Sequence, residues 1–118
     1  MTSTYANVEP YITRDGSAIR ELMHPAVHGN KAQSLAEATV APGEKTLLHR
    51  HRMTEEIYHF TAGEGLMTLG AEHIAVRAGD TIAIAPGAAH CVENTGCEPM
   101  KILCACSPAY SHEDTELL

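Results

Sequence analysis

Four residues of this chain are of types and spacings that could do chemistry together: His49, His51, Glu56 and His90. His49 and His51 are two apart, so on a strand both imidazoles project from one face. Arg50 and Arg52 then face the other way, clear of a bound cation that they would repel. Glu55 and Glu56 open the next apolar stretch, and only one of them can point inward. With Glu56 inward, Tyr58 and Phe60 share its face as an aromatic wall; with Glu55 inward, Ile57 and His59 take that place. The first arrangement is favoured. His90 follows the turn Pro86-Gly87-Ala88-Ala89 and sets a fourth donor at the start of a later strand. Three imidazoles and a carboxylate suit one divalent first-row metal per chain, Mn, Fe, Co, Ni, Cu or Zn, rather than Ca or Mg.

The elements that must position these donors read as strands. Short apolar runs broken by turn residues predict an all-β sandwich or barrel. SLAEATV, KTLLHRHRM and EEIYHF are followed by LMTL and EHIAVR, paired as a hairpin through Gly70 and Ala71. TIAIA, HCVEN and PMKILCAC complete a series of about eight. SAIRELMHPA fits a short helix or an edge strand equally well. The acidic tail SPAYSHEDTELL begins with a strand-ending Ser107-Pro108 and is expected to be solvated or laid over a neighbouring subunit.

Composition narrows the partners. The chain has 118 residues, 44% hydrophobic and 19% charged, which suits one globular domain. A formal charge of −7 without a Lys/Arg stripe argues against nucleic acid. No run has the length of a membrane span, and MTSTYANVEPYITRDG lacks the basic start and apolar run of a signal peptide, so a cytoplasmic protein is expected. The spacings of Cys91, Cys97, Cys104 and Cys106 do not match a paired CxxC zinc site. Cys104 and Cys106 alternate on one strand face, too far apart for an unstrained disulfide, and read as reduced core thiols.

Other histidines are weaker candidates. His24, His28, His59, His73 and His112 read as surface or packing residues, with His59 turned toward solvent or a partner subunit. Cys91 alternates away from His90 and reads as a packing residue. Three inward imidazoles without a metal would be a costly way to fill a small barrel, because buried polar groups need partners.

Two motifs resemble those of the cupins. Gly43, five residues, His49, one residue, His51, four residues, Glu56, six residues and Gly63 reproduce the first. Gly79, Pro86, Gly87, His90 and Asn94 follow the order of the second, with Ala85 at the usual proline position and Pro86 one residue later. The resemblance spans roughly residues 35 to 107 and implies a double-stranded β-helix, or jelly roll, with the metal near the open end of the barrel. It implies a single cupin domain over 1–118: a barrel at about 35–107, an N-terminal arm at 1–34 and a tail at 108–118. It also implies a homodimer, and oxygenase, isomerase, decarboxylase, lyase or epimerase chemistry among which the fold does not choose.

The expectation is therefore a metal-dependent enzyme acting on a small oxygenated molecule, against a non-catalytic metal-binding or sensor domain. In the enzyme reading Tyr58 orients substrate or donates a proton, while Phe60 with Met53 or Met67 excludes water.

Overall fold

The apolar runs become strands of two antiparallel sheets in the computed structural model, which describes residues 1–118. The strands are β1 (Tyr11–Ile12), β2 (Ala18–Met23), β3 (Ser34–Val40), β4 (His49–His51), β5 (Glu55–Ala62), β6 (Glu64–Leu69), β7 (Glu72–Arg77), β8 (Thr81–Ile84), β9 (His90–Asn94), β10 (Met100–Ser107) and β11 (Thr115–Leu117). One sheet has the order β1-β2-β3-β10-β5-β8 and the other β11-β4-β9-β6-β7. This is the jelly-roll arrangement that the motifs imply.

Period-two alternation decides which side chains enter the barrel. Along β5, Glu56, Tyr58 and Phe60 are buried while Glu55 and Ile57 are exposed. Along β10, Met100, Ile102, Cys104 and Cys106 are buried in alternation with partly exposed neighbours. The inward residues of β3, β5, β6, β8, β9 and β10 meet in one apolar cluster that includes Phe60, Met67, Ile84, Val92, Met100 and Ile102. Each large side chain buried there contributes about 1.5–3 kcal/mol, an upper value because the unfolded chain already hides some surface.

Two motif residues maintain this geometry. Gly63 turns β5 into β6 at φ 84°, and a Cβ there would lie 2.8 Å from the Met100 Cα, so both conformation and space demand glycine. Asn94 is fully buried; its Nδ2 donates to the carbonyls of Val40 and Glu98, both at 2.8 Å, and its Oδ1 accepts from Gly96 N at 3.0 Å. That amide ties the end of β9 to the end of β3 and to the turn before β10.

Where the sequence predicts about eight strands there are eleven, and the additions lie outside the motif region. SAIRELMHPA is neither of its two readings alone. Residues 18–23 form β2 beside β3, and Pro25–His28 (α1) form one helical turn, with Pro at its start and His24 Nδ1 accepting from Ala26 N. The stretch KTLLHRHRM narrows to His49–His51 as a strand. Before it, Leu47 N donates to Asp15 O and Thr46 N to Val92 O, so Leu47 and Leu48 lie exposed instead of alternating.

The acidic tail differs most from expectation. It folds back onto its own barrel, where β11 pairs with β4 and Thr115 is buried. Both carboxylate oxygens of Asp114 accept backbone N–H groups, those of Met53 and Thr54, in the turn after β4. The acidic composition that suggested a solvated end supplies these acceptors.

Candidate metal centre

His49 and His51 enter from β4, Glu56 from β5 and His90 from β9, all at one end of the barrel. The register explains the convergence, because His49 pairs directly with His90 across β4 and β9. All four side chains are buried, from fully so at His90 to 4% exposed at His51 and Glu56. Potential ligand atoms of His49, His51 and His90 lie within 4.8 Å of one another. Glu56 Oε1 lies 3.2 Å from His51 Nε2 and 3.4 Å from His90 Nε2. Glu55 is exposed, as the favoured strand register requires.

The outer nitrogen of each ring fixes which face looks inward. His49 Nδ1 lies 2.8 Å from Leu47 O and His90 Nδ1 lies 3.0 Å from Ala88 O; a carbonyl only accepts, so Nδ1 carries the proton. His51 Nδ1 lies 3.0 Å from Thr115 Oγ1, whose own proton is given to Ser111 O at 2.8 Å. The threonine therefore accepts from His51. A neutral ring then turns its Nε2 lone pair inward, those of His51 and His90 toward Glu56 Oε1 and that of His49 toward Asp15 Oδ2, 3.8 Å away. Glu56 Oε1 and His90 Nε2 are buried without a hydrogen-bond partner.

With all three rings neutral, acceptors face one another in a desolvated space, and a proton on a ring or a cation between them removes the conflict. Burial pushes the Glu56 carboxyl up, but the His51 and His90 rings outweigh it and hold it down at about 2. The site thus favours the carboxylate in company with positive charge. Burial, then His90, pushes His49 below the usual imidazole range and leaves its nitrogen free to ligate. These residues fit a divalent transition metal.

His49, His51 and Glu56, but not His90, line an interior cavity of about 40 Å³ together with residues outside the motif strands. Tyr58 stands edge-on to His90 with ring centroids 5.8 Å apart, and burial, then Glu56, raises its hydroxyl well above the ordinary tyrosine value. It stays a proton donor. Phe60 and Met67 are fully buried in the apolar cluster beneath, whereas Met53 is 72% exposed and takes no part in excluding water.

Several residues around the site carried no signal in the sequence. Cys106, the cross-strand neighbour of Glu56, donates its thiol to Glu56 Oε2 at 3.2 Å, and burial, then Glu56, keeps that thiol protonated. Alternation placed it inward but could not name its partner. Asp15 comes from the arm and places Oδ2 at 3.8 Å from His49 Nε2. Thr115 and Tyr110 come from the tail, and the Tyr110 ring stands 5.7 Å from that of His51. These contacts close over long sequence separations, so local pattern gives no hint of them. His24 is also more than surface: its Nε2 lies 2.7 Å from Tyr110 O and links the arm to the tail. His59 is half-buried, with Nδ1 2.8 Å from Thr81 Oγ1. All four cysteines are unpaired.

This chain belongs to the cupin family: the family model described as a cupin domain matches residues 36–106. It is 56% identical over 114 residues to the uncharacterized protein MJ1618 of Methanocaldococcus jannaschii, covering 97% of this chain and 91% of that one. A predicted oxalate decarboxylase from Thermotoga maritima is similar in structure, with a TM-score of 0.79 at 25% identity over 92% of this chain and 99% of that one. The nucleoside dehydratase Pac13 of Streptomyces shares the fold at a TM-score of 0.79 and 16% identity, over 100% of this chain and 90% of that one. No helix is long and apolar enough to cross a membrane.

Proposed function

We propose that this chain is a metal-dependent enzyme that acts on a small oxygenated organic molecule, with His49, His51, Glu56 and His90 as the ligands of one divalent ion. The observation that carries the reading is the convergence of four buried side chains, with Glu56 Oε1 and His90 Nε2 left without partners, beside a cavity that His49, His51 and Glu56 line. Mn, Fe, Co, Ni, Cu or Zn bound there supplies a Lewis acid with positions left for a ligand.

The chain's own groups do the rest. Leu47 O, Ala88 O and Thr115 Oγ1 fix the three imidazoles, and Cys106 fixes one Glu56 oxygen so that the other faces the rings. Tyr58 holds a proton at the cavity wall, where it can orient a substrate oxygen or protonate it. Phe60 and Met67 exclude water from below. The similar predicted oxalate decarboxylase names a small oxygenated substrate, which supports this class without choosing a reaction.

The chain is further proposed to be a homodimer working in the cytoplasm. Leu35 and Ile57, 39% and 42% exposed, flank Ala105 on one row across the outer face of the larger sheet, a patch that a second subunit would cover. Four unpaired cysteines support a reducing compartment. Light scattering at micromolar concentration checks the dimer, and a monomer would refute it.

His90→Ala tests the metal reading. The variant should keep its β-sheet circular dichroism, lose metal by elemental analysis, and lose whatever turnover a substrate screen over the six reconstituted metals detects in the parent. Retention of metal and full turnover in the variant would overturn the assignment.

A further inference from the structure

We propose that the cavity above the histidines selects a neutral polyhydroxylated molecule over a carboxylate or a phosphate, and that Asp15 sets this preference. The inference rests on the enzyme reading above and concerns the ligand that reaches that site.

The route to the site determines what can approach it. Tyr11, Glu21 and Tyr110 line both the interior cavity and an adjoining surface cleft, so they stand where the two meet, between arm and tail. From this gate inward the polar part of a largely apolar lining offers the hydroxyls of Thr13, Ser17 and Ser34 and the carboxyl groups of Glu21, Asp15 and Glu56. Neither the cavity nor the cleft has a lysine or arginine in its walls. The nearby arginines are engaged elsewhere or exposed: Arg20 donates to Val8 O, Arg50 pairs with Glu116, Arg52 donates to Glu113 O, and Arg14 lies on the surface.

Asp15 is the acidic group best placed to read a ligand. It is 9% exposed, and its Oδ1 accepts from Ser17 N at 2.9 Å and Ser17 Oγ at 2.7 Å. Its backbone carbonyl accepts from Leu47 N at 2.8 Å, which locks the arm to the segment leading into β4. The side chain is therefore fixed, and Oδ2 remains available, 3.8 Å from His49 Nε2. At the gate, Glu21 Oε1 is buried without a partner.

Unpaired acceptors in a desolvated space reward a ligand that brings donors. A hydroxyl donates to Asp15 Oδ2 and can still offer its oxygen to a metal. A carboxylate or phosphate brings acceptors only and meets Asp15 and Glu56 as like charges. A dication has its charge cancelled by Glu56 and Asp15 together, which leaves no excess positive charge to hold an anion. The small cavity admits one hydroxylated arm rather than a whole sugar ring.

The test uses full-length protein and three four-carbon probes that differ in charge: erythritol, erythronate and erythritol 4-phosphate. Each is titrated, by ligand-observed NMR, into zinc-loaded and metal-free parent and into Asp15→Asn, with zinc content read separately and folding checked by circular dichroism. Erythritol should bind the parent about tenfold more tightly than either anion, and Asp15→Asn should shift the erythronate-to-erythritol ratio about tenfold toward erythronate. Anions binding the parent as tightly as erythritol, or a ratio that Asp15→Asn does not move, overturns the proposal. The parent's own order of affinities decides the question if the variant fails to fold. A protein that takes up no zinc yet prefers erythritol refutes the metal-enzyme reading and supports this one; zinc-loaded protein that prefers the anions refutes this one alone.

Discussion

Phe60 and Glu56 lie four residues apart on the same face of β5, and their surroundings are opposite in kind. Around Phe60 the barrel is closed by Met67, Ile84, Met100 and Ile102, and nothing polar is left over. Around Glu56, β4, β5 and β9 bring polar side chains together and leave Glu56 Oε1 and His90 Nε2 without partners. The apolar end gains stability and is complete as folded. The polar end leaves these two buried atoms unpaired as folded. Packing at the first end holds the second in place, because strands anchored in a packed core keep His90 and Glu56 together.

Substitutions can separate the two ends. Phe60→Ala should cost about 3–5 kcal/mol in urea unfolding, the range for removing a buried aromatic, and should do so with or without metal. Metal removal should act only through the polar end. Zinc at a hundredfold excess over its Kd should stabilise the parent by about 2.7 kcal/mol and raise Tm by about 10 °C, and the same addition should leave His90→Ala unmoved. A zinc-induced rise of similar size in His90→Ala would place the ion elsewhere.

Smaller effects test the supports. Thr115→Val deprives His51 Nδ1 of its acceptor and should weaken zinc binding about 10–100-fold in competition with a chromophoric chelator, with unfolding little changed. Cys106→Ala frees Glu56 Oε2 and should weaken zinc less. In Co(II)-substituted parent no thiolate-to-metal absorption band should appear, since the Cys106 thiol is committed to Glu56 Oε2. Smallest of all, Glu55→Gln, on the exposed side of β5, should change neither stability nor zinc affinity by more than about 0.5 kcal/mol. Glu56→Gln beside it should abolish most zinc retention. If the two exchanged effects, β5 would be shifted by one residue and Tyr58 would face outward.

The donors were legible because they obey local rules. Strand alternation puts His49 with His51, and Glu56 with Tyr58 and Phe60, on single faces, and two motifs at the right separation imply the barrel that brings His90 to them. Gly63 and Asn94 were legible as motif positions, although their work against Met100 and Val40 was not. The short span of β4 was missed because Leu47 and Leu48 look like strand residues, while Asp15 holds that segment in another path.

The sequence by itself determined the all-β class and the inward set His49, His51, Glu56 and His90, because each follows from residue chemistry and a repeat of two. Only the tertiary structure decided that Asp15 from the arm and Thr115 and Tyr110 from the tail surround those donors. Arm and tail have little pattern of their own. Their course is set by pairing with β3 and β4 and by bonds such as Leu47 N to Asp15 O and Met53 N to Asp114, contacts that exist only once the barrel has formed and given them a surface to pair with.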